Sequence, residues 1–286
     1  MPHTGHCTVA AVVASTLSAI LSGDAVSAQV ERFFGITLSN QGRDSYLHGE
    51  RVLVEVEVSN PTHSDLRYMS TLKSTGGFIS GVYIQLFRND REISPSPEFT
   101  DASPWGSQVW AGSMVRTLGM GRRIQSKVPL TTLYGTLEPG NYKAIALVAQ
   151  ESKQADVMGL AKGRAASKEI VFTVRDWRPR ASVLKKMARS IGEARLETEV
   201  AIVETTDGHS LVSWKTGYSD QTRRALHVVP IGSEVALGDV LWHATEDACY
   251  IAQPAEGART MKLIVVDRRG SSVSTLMLER PSQIPK

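Results

Sequence analysis

Cysteine is nearly missing from this chain. There are two in 286 residues, Cys7 and Cys249. Cys7 precedes an apolar run, Thr8 to Ser22, that is too short to span a bilayer comfortably. Val26-Ser27-Ala28 follows the small-x-small pattern, so the first 28 residues read as a secretory signal cleaved before Gln29. The other reading of that run, which lacks Lys and Arg on its N-terminal side, is an uncleaved helical anchor. Cys7 stands before the run, not at its end, which excludes a lipobox and lipid anchoring. Cleavage leaves Cys249 alone, so no disulfide forms within the chain and the fold must rest on apolar burial. A single thiol of this kind reads as buried and inert; pairing between molecules is the sharper alternative.

Catalytic and ligand motifs are missing as well. His48 is followed by Gly49 and His243 by Ala244, so no His-Glu-x-x-His zinc motif exists. There is no EF-hand loop, glycine-rich phosphate loop, nucleophile-elbow serine or Cys-x-x-Cys pair. His63 and Asp65 flank Ser64 without a third ligand nearby in sequence, and neither metal nor cofactor is expected. A large charge excess is missing too. The formal net charge is +3, and +4 once Asp24 is removed with the signal. Basic and acidic residues are interleaved, which excludes a nucleic-acid footprint. After cleavage no stable membrane span remains, and the chain is expected to be secreted or periplasmic.

What is present is β-pattern. Val52, Val54, Val56 and Val58 alternate with Leu53, Glu55, Glu57 and Ser59, giving one apolar and one mostly polar face. Asn60-Pro61 ends that strand. Val82, Ile84 and Leu86 alternate, with Asn89-Asp90 as a hairpin turn. Ile170, Phe172 and Val174 alternate again. Leu137-Glu138-Pro139-Gly140-Asn141-Tyr142 has the form of a sandwich corner, in which the tyrosine ring packs inside and its hydroxyl returns to upstream backbone. The plainer reading is an ordinary turn before a strand tyrosine.

Tyr46-Leu47-His48-Gly49-Glu50, Val52 to Asn60, Leu118-Gly119-Met120-Gly121, Val128-Pro129-Leu130, Leu133-Tyr134 and the Pro-Gly-Asn-Tyr corner come in an order that resembles bacterial immunoglobulin-like accessory domains. It is similar to the non-catalytic β-domains attached to some secreted metallopeptidases. The resemblance covers residues 30–175 and implies a fold only; it carries over no catalytic residue.

The sequence therefore predicts a mainly β protein: an immunoglobulin-like sandwich over 29–175, a linker with one short helix over 176–195, and a small antiparallel β-domain over 196–286. The helix is read from Val183, Leu184, Met187 and Ile191 at helical spacing, with Lys185, Lys186 and Arg189 on its other side. Those three read either as a solvated face or as a contact for lipid headgroups or acidic polymer.

Three places carry functional expectations. Trp105, Trp110 and Met114 lie in an insert, 94–121, interrupted by Pro95, Pro97 and Pro104. They either cap the open end of the core or form an exposed platform for a protein or glycan of the cell envelope. His243, Glu246, Asp247 and Cys249 are the densest reactive cluster. However, Thr245 to Ala248 reads as a hairpin loop that sets His243 beside Tyr250 and Cys249 opposite Ala244, which works against a catalytic pair. The leading expectation is an exported, non-enzymatic binding protein acting through loops of the first domain. The alternatives are a secreted hydrolase or thiol enzyme using His243 and Cys249, or a protease inhibitor presenting 94–121 as a substrate mimic.

Overall fold

The computed structural model describes residues 33–71, 82–96, 113–150, 157–219, 224–232, 235, 237–255 and 260–279. Residues 1–32, which include the expected signal, and Trp105 and Trp110 lie outside them. The architecture is mainly β, with nineteen strands and a single α-helical turn, α1 (Leu130–Tyr134), among the described residues.

Valine alternation builds the first sheet. β1 (Gly35–Ser39), β3 (Leu53–Ser59) and β8 (Arg123–Pro129) pair antiparallel in the order β1-β3-β8. Val52, Val54, Val56 and Val58 are almost wholly buried, as their period of two requires. They face a second sheet ordered β2 (Ser45–Leu47), β11 (Ile170–Arg175), β9 (Gly140–Gln150), β5 (Val82–Arg88) and β6 (Arg91–Ile93), with β10 (Gly163–Ala166) also on β9. Leu86, Ala144, Ala146, Phe172 and Val174 complete that shared interior. Asn89 and Asp90 both hold positive φ, 48° and 63°, as a two-residue hairpin turn of the type favoured by strand twist demands. β4 (Leu66–Thr71) and β7 (Ser113–Leu118) form a separate two-stranded ribbon.

The chain crosses between the sheets at the predicted corner. Tyr142 is buried, its ring lies parallel to Phe172 at 5.3 Å, and its hydroxyl donates to the Glu138 carbonyl at 2.6 Å. Arg88 at the end of β5 donates to the Pro139 carbonyl at 2.8 Å and ties the turn to the sheet.

The short helix predicted within 176–195 is a strand instead, and the connection from β11 is confined to 176–178. β12 runs from Pro179 to Ile191 and pairs along its length with β13 (Ala194–Thr205), from Pro179↔Thr205 to Ile191↔Ala194. Helical spacing of four apolar residues was coincidental. In the strand Val183, Lys185 and Met187 turn inward and are half-buried, while Leu184 and Ile191 are exposed. A short isolated helix is marginal in water, whereas a full ladder with a buried face is not. Gly192, at φ +62°, takes the first position of the two-residue turn where an L side chain would be strained.

β13 continues the meander through β14 (Ser210–Tyr218) and β15 (Ala225–Pro230). A 3-10 turn, Leu237–Asp239, leads to a second meander of β16 (Leu241–Ala244), β17 (Ala248–Pro254), β18 (Thr260–Asp267) and β19 (Ser272–Glu279). The two sheets enclose Val200, Ile202, Val212 and Trp214 from one side, and Cys249, Ile251, Ile264 and Val266 from the other.

The second pair of sheets is packed onto the first rather than tethered to it. Ala201, Val203, Leu211 and Val228 point away from Trp214 and form a third apolar cluster with Leu47, Trp177 and Leu226. Backbone crosses as well. Val228 N–H donates to the Gly49 carbonyl at 2.7 Å, and Glu50 and Val228 form a parallel bridge. Trp177 Nε1–H donates to the His48 carbonyl at 3.0 Å.

Candidate functional site

The predicted reactive cluster is dispersed by its own hairpin. His243 stands opposite Tyr250 and Ala244 opposite Cys249, as read from the sequence. His243 is exposed on the outer face of its sheet, whereas Cys249 points inward and is fully buried. Opposite pleat directions keep the imidazole from serving as the thiol's base. Burial pushes the Cys249 thiol from its ordinary 9.0 up to about 12, against a smaller opposing pull from Lys185. Asp247 is committed to Arg269, through Nε at 2.9 Å and Nη2 at 2.7 Å, and Glu246 pairs with Arg189 at 3.3 Å. Native protein at neutral pH should leave Cys249 unmodified by iodoacetamide, with full alkylation in denaturant, as read by intact mass. Because the folded pKa is raised, the thiol's contribution to stability is complete below about pH 9. It should fall between about pH 9 and 12, where the unfolded chain releases the proton first.

The basic residues of 176–195 are also occupied. Lys185 turns inward and donates to the Ala244 carbonyl at 3.0 Å, Lys186 lies 3.9 Å from Glu199, and Arg189 holds Glu246. Met114 stands opposite Ser70 in the β4–β7 ribbon; its companions Trp105 and Trp110 are outside the described residues. Asp65 Oδ1 accepts the Met120 N–H at 3.3 Å. Among the described residues no group of three or more metal-binding side chains assembles.

The structure draws attention instead to the outer face of the β16–β19 sheet. Register places Leu241, Ala252, Leu263 and Leu276 side by side across all four strands. His243, Tyr250, Val265 and Ser274 form the next row, and Met261 and Leu278 stand opposite one another in a third. Leu241 is 71% exposed, Leu276 52%, Leu278 45% and Tyr250 40%. Contiguous apolar surface of this kind marks interaction sites in folded proteins. β19 is also an edge strand, and Ser272–Glu279 carries no Lys, Pro or bulge to blunt it. A sequence signal existed: β18 and β19 are apolar at both even and odd positions, as in strands covered on both faces.

A second feature is a cleft of about 250 Å³ between the two halves. Asn40, Gln41, Arg43 and Tyr46 line one side; Val229, Pro230 and Ser271 line the other. At its floor Glu50, almost wholly buried, accepts from Arg43 Nη1 at 2.6 Å and from the Leu47 N–H at 2.9 Å. The Arg43 guanidinium lies over the Tyr46 ring at 4.5 Å. Arg51 Nη1 donates to the Arg269 carbonyl at 2.9 Å. Ser271, at φ +48°, has its hydroxyl 3.2 Å from His227 Nε2. That pair is a poor nucleophile–base couple. Burial, then the neighbouring Arg268 guanidinium, lower the His227 pKa to about 4, leaving it neutral but weakly basic. Arg51 and Arg269 are 218 residues apart, so no local pattern announces this cleft.

No known protein family matches the chain, and no curated protein matches it in sequence.

Proposed function

We propose that the chain is an exported, non-enzymatic binding protein of the cell envelope. It comprises an immunoglobulin-like domain over 29–175 and a second antiparallel β-domain that begins at Pro179. The observation that carries this reading is the apolar outer face of the β16–β19 sheet. Leu241 on β16, Tyr250 on β17 and Leu276 and Leu278 on β19 stand exposed on this face, cost solubility and contribute nothing to the interior, which lies on the opposite face. A partner that covers the face and pairs with the open β19 edge satisfies both features, which favours a protein over a glycan. A thiol enzyme finds no support in Cys249, which is buried away from His243. The insert bearing Trp105, Trp110 and Met114 supplies a second contact in this reading.

The test compares Leu241→Lys/Leu276→Lys with the parent and with Trp105→Ala/Trp110→Ala, each immobilised and exposed to envelope extract. Both leucines are exposed, so the first variant should change stability by no more than about 0.5 kcal/mol. It should lose a partner that the parent retains. A parent that retains nothing and sediments as a monomer sinks the proposal. Loss in the tryptophan variant alone moves the binding surface to the first domain.

A further inference from the structure

We infer that the cleft between the two halves binds a small organic monocarboxylate through Arg51. This site is distinct from the sheet face proposed above and does not depend on it.

The charge inventory of the cleft points there. Arg43 is neutralised by Glu50 at 2.6 Å, the two residues lying at either end of β2. Arg269 is neutralised by Asp247 and turns its carbonyl, not its guanidinium, toward Arg51. Arg51 is half-buried, and its hydrogen bond goes to that carbonyl. It has no carboxylate partner among the described residues. One bond to an uncharged acceptor leaves most of the guanidinium donors, and the whole of its charge, unanswered. His227 feels the same field, since Arg51 and Arg268 both oppose its protonation.

Arg268, the other cation beside His227, lies outside the cleft lining, donates to the Glu246 carbonyl at 3.0 Å and feels the carboxylates of Asp247 and Glu246. Among the described residues that line the cleft, Arg51 is thus the cation without a carboxylate, and one such cation calls for a single negative charge. A guanidinium fork matches a carboxylate in bidentate geometry, whereas a phosphate dianion would call for a second free cation. The rest of the lining describes the body of the ligand. Leu53 and Pro230, both half-buried, offer apolar surface backed by the buried Val228 and Val229, while Asn40, Gln41 and Ser271 offer polar groups. A volume of about 250 Å³ admits a ring or a short chain, not a polymer. Clefts between packed domains are common ligand sites because neither domain alone must hollow out its core.

The experiment titrates the full mature chain with benzoate and with glucuronate, each against a neutral counterpart, benzamide and methyl glucoside. Backbone amide shifts are followed by NMR. Both carboxylates should move the Arg51, Val229 and Ser271 amides saturably, and added salt should weaken the effect. The neutral compounds should leave these amides in place. Arg51→Gln should weaken carboxylate binding by roughly ten- to a hundredfold, the range set by loss of a charged hydrogen bond. Arg51→Lys, which keeps the charge without the fork, should fall between. Leu241→Lys/Leu276→Lys should bind as the parent does, which separates this site from the sheet face. The inference is overturned if neither carboxylate shifts these amides, if benzamide or methyl glucoside shifts them equally, or if Arg51→Gln binds unchanged.

Discussion

Trp214→Ala should be among the most damaging single substitutions in the second half of the chain, at about 3–5 kcal/mol, the usual range for emptying a buried aromatic site. Trp214 is fully buried and stands between Val200 on β13 and His227 on β15. Its ring fills the space between the two meanders, and its Nε1–H donates to the Thr245 carbonyl at 3.3 Å, linking one sheet to the other. Alanine removes the volume and the link together. The interior of the first half, built on Leu86, Leu130 and the valines of β3, is a separate cluster and does not touch that cavity. Hydrogen exchange should therefore show faster opening across 179–279 with little change across 35–175. Trp214→Phe, which keeps a ring, should cost clearly less. Equal acceleration in both halves would mean that they open as one cooperative unit, and the proposed division into two domains would be wrong.

How much of this was readable beforehand depends on the range of the interaction. Period-two alternation is local, so Val52–Val58, Ile84, Leu86 and Phe172 declared their faces directly. Turn chemistry is local too, and Asn89-Asp90 and the Tyr142 hydroxyl bond to Glu138 followed from it. The hairpin at 245–247 likewise settled the fate of His243 and Cys249. The stretch 183–191 misled because its apolar residues satisfy a period of 3.6, while its partner strand, absent from a local window, decides the outcome. The Ile191-Gly192-Glu193-Ala194 turn was the overlooked signal. The outer face of β16–β19 was half legible, since two-sided apolar strands can be seen, but their lack of a cover cannot. The cleft was not legible at all, because Arg51, Val229 and Ser271 meet only through the packing of the halves.

That packing can be broken at one atom. Gly49 has φ +85°, and a Cβ there would lie 2.7 Å from Leu226 Cγ and 2.9 Å from Val228 Cγ2, both on the opposite side of the junction. Gly49→Ala thus combines two costs. A left-handed backbone with a side chain costs about 1–3 kcal/mol, and overpacking a closed contact adds a similar amount, about 1–3 kcal/mol. The steric part cannot be relieved within either half. It pushes β15 away from the turn after β2, against the 2.7 Å bond from Val228 N–H to the Gly49 carbonyl. Gly42→Ala isolates the backbone part, because Gly42 has φ +76° with nothing within 4 Å of its would-be Cβ. We expect Gly42→Ala to lower stability modestly and leave the junction intact. Gly49→Ala should lower it by about 2–6 kcal/mol in all. It should speed exchange of the Val228 amide, expose 176–178 to protease while both cores stay protected, and abolish carboxylate binding at Arg51, two residues away. Equal behaviour of the two variants would show that the halves are not in contact at Leu226 and Val228. The cleft would then lose the wall on which its ligand is argued to rest.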